Sequence, residues 1–106
     1  NKSFKTPGIL SKAGCQVSII TDAPVIPQQY LSLCAGLAVK SGMDAFEALK
    51  AITIHPAKHL GIADRVGSIE VGKDGDFVIS DGNIMDSATK VNYTIVNGTV
   101  AFSQVD

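Results

Sequence analysis

The sequence predicts an α/β fold, and three features carry that expectation. A short β-branched run at residues 16–21 reads as a strand. Apolar residues then recur at helical spacing as far as Ile62. The remainder is a set of short apolar runs separated by Gly, Asp and Asn, closing on an Asn97-Gly98 pair. The change of period from 3.6 to 2 near Ile62 divides the chain into residues 1–62 and 63–106.

Taken in order, residues 8–14 read as a short helix stopped by Gly14, since glycine tolerates the left-handed conformation of a helix C-terminus. Gln16-Val17-Ser18-Ile19-Ile20-Thr21 is nearly continuous in its apolarity, as in a parallel strand covered on both faces. Tyr30, Leu33, Cys34, Leu37 and Ala38 lie on one helical stripe, with Lys40 in the last turn and Gly42 as the stop. Asp44 and Glu47 form an Asp-x-x-Glu signal that opens a second helix bearing Ala45, Ala48, Leu49 and Ile52. His55-Pro56-Ala57 opens a third, with His55 as N-cap, Pro56 at the first helical position and Gly61 as the stop.

Strands are expected at residues 66–70 and 77–80, linked by the turn-rich Gly72-Lys73-Asp74-Gly75-Asp76. Asn97-Gly98 is a two-residue hairpin signal. A loop of those two residues pairs Val96 with Thr99, Ile95 with Val100, Thr94 with Ala101 and Tyr93 with Phe102. That register collects Val91, Tyr93, Ile95, Val100 and Phe102 on one face. Four short strands then present an apolar face that nothing else in the sequence obviously covers.

Composition narrows the classes of function. The chain of 106 residues is 45% hydrophobic and 18% charged, with a formal net charge of −1. There is no basic stripe, so neither nucleic acid nor an anionic membrane is an expected partner. The apolar runs are too short to span a bilayer. Lys2 and Lys5 precede Thr6-Pro7-Gly8 rather than an apolar stretch, so no signal peptide is expected. Cys15 and Cys34 do not make a disulfide framework. They read as buried free thiols of a cytoplasmic protein.

Asp22 is the sharpest chemical candidate. It follows the first strand and precedes Ala23-Pro24. A carboxylate at the C-terminal end of a buried strand can ligate a cation and take a proton from metal-bound water. The same position also suits an Asp that caps a turn before proline. His55 and His59 share an i, i+4 spacing, but Pro56 stands where a zinc helix needs its glutamate, so a cap and a solvated His are the expected roles. Asp74, Asp76 and Asp81 lack calcium-loop spacing and read as turn residues.

The order of these motifs resembles the C-terminal part of the metal-dependent amidohydrolases. Ala13-Gly14-Cys15-Gln16-Val17-Ser18-Ile19-Ile20-Thr21-Asp22 is similar to their last barrel strand. Residues 47–57 with Leu60-Gly61 resemble the helix after the barrel. Residues 64–79 and 91–100 resemble the return into their small β-sandwich. The nearest likeness is to the imidazolonepropionase-like and prolidase-like members.

The resemblance implies the last strand and helices of a (β/α)8 barrel over residues 1–62. Part of a composite sandwich, built in the family from both ends of the chain, follows over 63–106. It implies a hydrolase of C–N bonds in cyclic amides, amidines or dipeptide-like small molecules, using a divalent metal, zinc by preference. Asp22 then maps onto a metal ligand that is also the base for the attacking water. A (β/α)8 barrel needs about 250 residues, and the family's His-x-His pair has no counterpart here. These residues are therefore expected to be a C-terminal piece that is inactive alone, holds no metal stably and partners the remainder of the amidohydrolase chain. A second reading is an independent module without catalysis that associates with itself or another chain. Ala23 stands where many relatives have His, and His55 where many have Asn. Gly75 replaces a usual Ala, which should loosen that turn.

Overall fold

The computed structural model describes residues 4–104. Four helices come first: α1 (Thr6–Lys12), α2 (Leu31–Lys40, entered through a 3-10 turn at Gln28–Tyr30), α3 (Ala45–Ala51) and α4 (Ile54–His59). Three strands follow, β1 (Phe77–Ser80), β2 (Val91–Val96) and β3 (Thr99–Ser103), in one antiparallel sheet of order β1-β2-β3.

The helical half is held by small side chains. Ala35 and Ala38 of α2, Met43, and Ala48 and Ala51 of α3 are buried together, with Val17, Ile19, Val39, Ile52 and Met85 packed around them. Alanines at a crossing let two helix backbones approach closely. Gly36 extends the same logic to the loop before β2: a Cβ there would stand 2.5 Å from the Met85 carbonyl oxygen. The expected glycine stops hold, with Gly14, Gly42 and Gly61 all at positive φ.

Asp44 caps α3 as the sequence suggests, its Oδ2 accepting the Glu47 N–H at 3.0 Å. Asp44→Ala is expected to lower the stability of the folded protein by about 1 kcal/mol, the usual cost of an N-cap. A urea titration checks this through a lower midpoint at unchanged slope.

Several expectations are corrected. α1 starts at Thr6, two residues earlier than expected, with Pro7 in its first turn. Residues 16–21 are in no sheet; Ile19 N–H instead donates to Ala51 O at 2.9 Å. The neighbours that a parallel strand needs are not among the described residues. Residues 66–70 form no strand either. Gly67 takes φ +100 and the backbone bonds stay local, from Val66 N to Ile62 O and from Lys73 N to Glu70 O.

α4 begins one residue before His55, with Thr53 at the cap position. Pro56 is therefore its third residue, which is still within the first turn, where no N–H has a helical partner. The two cysteines are free, but Cys15 is exposed rather than buried.

The hairpin turns at Asn97-Gly98 and starts in the expected register, Val96 with Thr99 and Ile95 with Val100. It then slips: Thr94 faces Phe102 and Tyr93 faces Ser103, leaving Ala101 as the extra residue of a bulge. Phe102 thus joins the face of Thr94, Val78 and Val96, and the clean separation of apolar from polar residues is lost. The turn at Gly75 is not loose. Its carbonyl accepts the Gly98 N–H at 2.9 Å, and a Cβ on Gly75 would come within 2.9 Å of that nitrogen.

Large apolar side chains remain exposed, among them Ile20, Leu60, Ile69 and Val71. All of β3 is exposed. No helix among the described residues is long and apolar enough to cross a membrane.

Candidate functional site

The candidate site is the turn that follows residues 17–21. Two backbone bonds close it, Val25 N–H to Asp22 O at 2.9 Å and Ile26 N–H to Thr21 O at 3.2 Å. Thr21 is buried, whereas Asp22 is exposed. Asp22 takes φ +52, a left-handed conformation that Asp and Asn adopt more readily than other side chains. The Ala23–Pro24 peptide is cis. A buried residue is thus followed by a carboxylate lifted into solvent on a closed turn, with no side-chain hydrogen bond or ion pair to Asp22 among the described residues.

The segment leading to Asp22 is fixed by the helices. Val17 and Ile19 lie against the alanine core. His55 is 5% exposed, and its Nδ1 lies 3.2 Å from Val17 O. A carbonyl oxygen only accepts, so that nitrogen carries the proton. One turn further along α4, His59 Nδ1 lies 2.5 Å from Ser18 Oγ. The i, i+4 spacing does place both His on one helix face, as the sequence implies, but it serves to grip another segment. His55 is not a helix cap. No sequence signal links positions 38 and 41 residues apart, which is why these contacts escape a reading of the sequence.

Several other carboxylates have partners. Asp74 pairs with Arg65 at 2.9 Å, Asp76 Oδ1 accepts the Asn97 N–H at 2.7 Å, and Asp81 Oδ1 accepts the Lys90 N–H at 2.8 Å. The turn role expected of them is extended at Asp76, which reaches the hairpin turn 21 residues away. Glu70 accepts a hydrogen bond from Ser68 and pairs with Lys73 at 3.0 Å. The Ser68 bond first, then the lysine, holds its carboxyl below the ordinary glutamate range.

Among the described residues no group of three or more His, Cys, Asp or Glu side chains converges on a point that would hold a metal. A catalytic zinc needs about three protein ligands. Asp22 can supply one carboxylate, so the donor set present does not by itself fit a metal centre. An open groove of about 780 Å3 runs between α3, α4 and β1, lined by Leu49, Ile52, Pro56, Leu60 and Phe77 among others. Asp22 is not part of it, and its lining is mainly apolar.

Comparison with known proteins places the chain in a family. The amidohydrolase family model matches residues 3–102, and the chain belongs to that family. It is 33% identical to the imidazolonepropionase of Thermoplasma acidophilum over the whole chain, which corresponds to 28% of that protein. It is 39% identical to the adenine deaminase of Methanosphaera stadtmanae over 71% of the chain and 13% of that protein. The crystal structure of an amidohydrolase from Thermotoga maritima superposes with a TM-score of 0.91 at 35% identity, over 96% of this chain and 27% of that one. A Xaa-Pro dipeptidase with bound methionine in its active site superposes with a TM-score of 0.79 at 27% identity, over 95% and 25%. The chain thus spans between 13% and 28% of the length of these relatives.

Proposed function

We propose that this chain is the C-terminal portion of a hydrolase that cleaves C–N bonds in small molecules, with Asp22 as its one catalytic residue. The observation that carries the proposal is Asp22 itself: an exposed carboxylate on a closed left-handed turn, within a family match that runs through residues 3–102. Residues 1–62 are then the last strand and helices of a (β/α)8 barrel, and residues 63–106 part of its β-sandwich.

In this reading Asp22 takes a proton from the attacking water and passes it to the leaving nitrogen. A carboxyl group can accept the water's proton and then, once protonated, donate it to the leaving nitrogen. A divalent ion, zinc by preference, would supply the activation of that water; Asp22 would be one of its ligands, and the others would have to come from outside the described residues. The relatives' names point to an imidazolone, an aminopurine or a Xaa-Pro dipeptide as substrate classes to try. Ile69 at 83% and Leu60 at 74% exposure support further polypeptide packing against this part. Two free thiols support a reducing, cytoplasmic location.

The test compares the 106-residue chain with the complete gene product against imidazolonepropionate, adenine and a Xaa-Pro dipeptide. We expect turnover of at least one of these by the complete product and none by the 106 residues. Turnover with stoichiometric bound metal in the 106-residue chain overturns the reading. A second reading, a non-catalytic module that assembles through its sheet edge, draws on β3, where Val100 is 55% and Phe102 47% exposed. A gene product limited to these residues that elutes as a stable oligomer would favour it.

A further inference from the structure

We infer that His55 and His59 are positioning residues that set the place of the Asp22 carboxylate, an inference that rests on the role proposed for Asp22. The segment before Asp22 is held at three successive residues by α3 and α4. Val17 O accepts from His55 Nδ1 at 3.2 Å, Ser18 Oγ meets His59 Nδ1 at 2.5 Å, and Ile19 N–H donates to Ala51 O at 2.9 Å. Asp22 follows three residues later.

The two His sit four residues apart on one short helix, so they act as a pair of jaws on consecutive residues of the facing segment. The inner jaw is the more sheltered: His55 is 5% exposed and its bond to Val17 O is part-buried, so little solvent is at hand to replace that bond if it is lost. The outer jaw is a side-chain contact at the surface, which fixes the segment sideways. A catalytic group has to be held within a fraction of an ångström, and a misplacement of 1 Å costs on the order of 100-fold in rate. Neither imidazole needs to touch substrate to matter: both act through the segment that carries Asp22.

The inference distinguishes donors from bulk. His55 needs only one N–H, at the position of Nδ1. The amide N–H of Asn can occupy that position, whereas Leu fills similar space and donates nothing.

The experiment uses the complete gene product and four variants: His55→Leu, His55→Asn, His59→Leu and Ser18→Ala. Amide hydrogen exchange is followed over residues 19–25 and over the three strands, and kcat and KM are measured on whichever of the three substrates above is turned over. We expect His55→Leu to accelerate exchange in residues 19–25 by about tenfold or more, with the strands unchanged, and to lower kcat by about 10- to 100-fold while KM stays within about twofold. His55→Asn restores both. His59→Leu and Ser18→Ala, at the surface contact, give smaller shifts of the same kind and keep the inference testable if His55→Leu does not fold.

Unchanged exchange at residues 19–25 in His59→Leu and Ser18→Ala, or failure of Asn to restore what Leu removes, overturns the inference. So does a fall in kcat matched by an equal rise in KM. Loss of the proposed role of Asp22 reads differently: Asp22→Asn then keeps full activity, whatever the histidine variants do.

Discussion

Asp22→Asn in the complete protein is expected to lower kcat/KM by roughly 10^2- to 10^4-fold, the range lost when a positioned acid–base group is removed. That is about 3–5 kcal/mol of transition-state stabilisation. The substitution is clean because of the backbone. At φ +52 most side chains carry a penalty of about 1–2 kcal/mol, while Asn accepts this conformation as readily as Asp. The carboxylate is exposed, so the change leaves no buried group unpaired. Thermal unfolding should therefore stay within a few tenths of a kcal/mol of the parent. Steady-state kinetics beside a melting curve checks both halves. A drop in kcat with a preserved fold and unchanged bound metal identifies Asp22 as the acid–base group, whereas unchanged kcat/KM at saturating metal removes it from the chemistry. Asp22→Val would lose activity too, but a strained backbone would share the cause.

The helical half was the more legible part of the sequence. The helix over residues 31–40, the glycine stop at Gly42 and the Asp44 cap rest on contacts three or four residues apart, which are visible in one dimension, but the buried face is set by Ala35 and Ala38 while Tyr30 and Leu33 of the expected stripe are exposed. The Asn97-Gly98 turn was equally local, and it fixed the first two pairs of the hairpin. Ala101 breaks the register beyond them, and a bulge at alanine has no compositional mark. Residues 66–70 alternate like a strand, yet a strand exists only with a partner, and Gly67 turns the chain away instead.

The site divides in the same way. Asp22 before Ala23-Pro24 announces a turn, and the turn is there. The chemical role proposed for it comes only from the order of the motifs around it. The grip of His55 and His59 on Val17 and Ser18 depends on a packing of α4 that no local pattern encodes. Their spacing was visible, but its meaning was not.

Gly67→Ala is expected to be among the most destabilising single-methyl changes in this chain, by about 2–4 kcal/mol. Two independent costs meet at that position. The backbone sits at φ +100, a region that is disfavoured for any residue with a Cβ, and such strain costs of order 1–3 kcal/mol. The new Cβ would also stand 2.8 Å from Ala57 Cβ and 3.1 Å from Ile54 Cα. Neither atom is the end of a flexible side chain. Ile54 Cα is backbone, and Ala57 is buried on α4, so relief requires the helix itself to move.

That movement has a functional consequence, because α4 is the element that carries His55 and His59. A urea titration of the complete protein should show a lower midpoint for Gly67→Ala. Exchange at residues 19–25 should rise with it, since displacing α4 loosens its hold on the segment before Asp22. Gly14→Ala provides the control: it shares a positive φ, +93, but has nothing within 4 Å of the added methyl. It should show the backbone cost alone, with exchange at residues 19–25 unchanged. A Gly67→Ala protein with the midpoint of Gly14→Ala would mean that α4 gives way at no cost, and that the packing of Gly67 against Ile54 and Ala57 does not hold the helix in place.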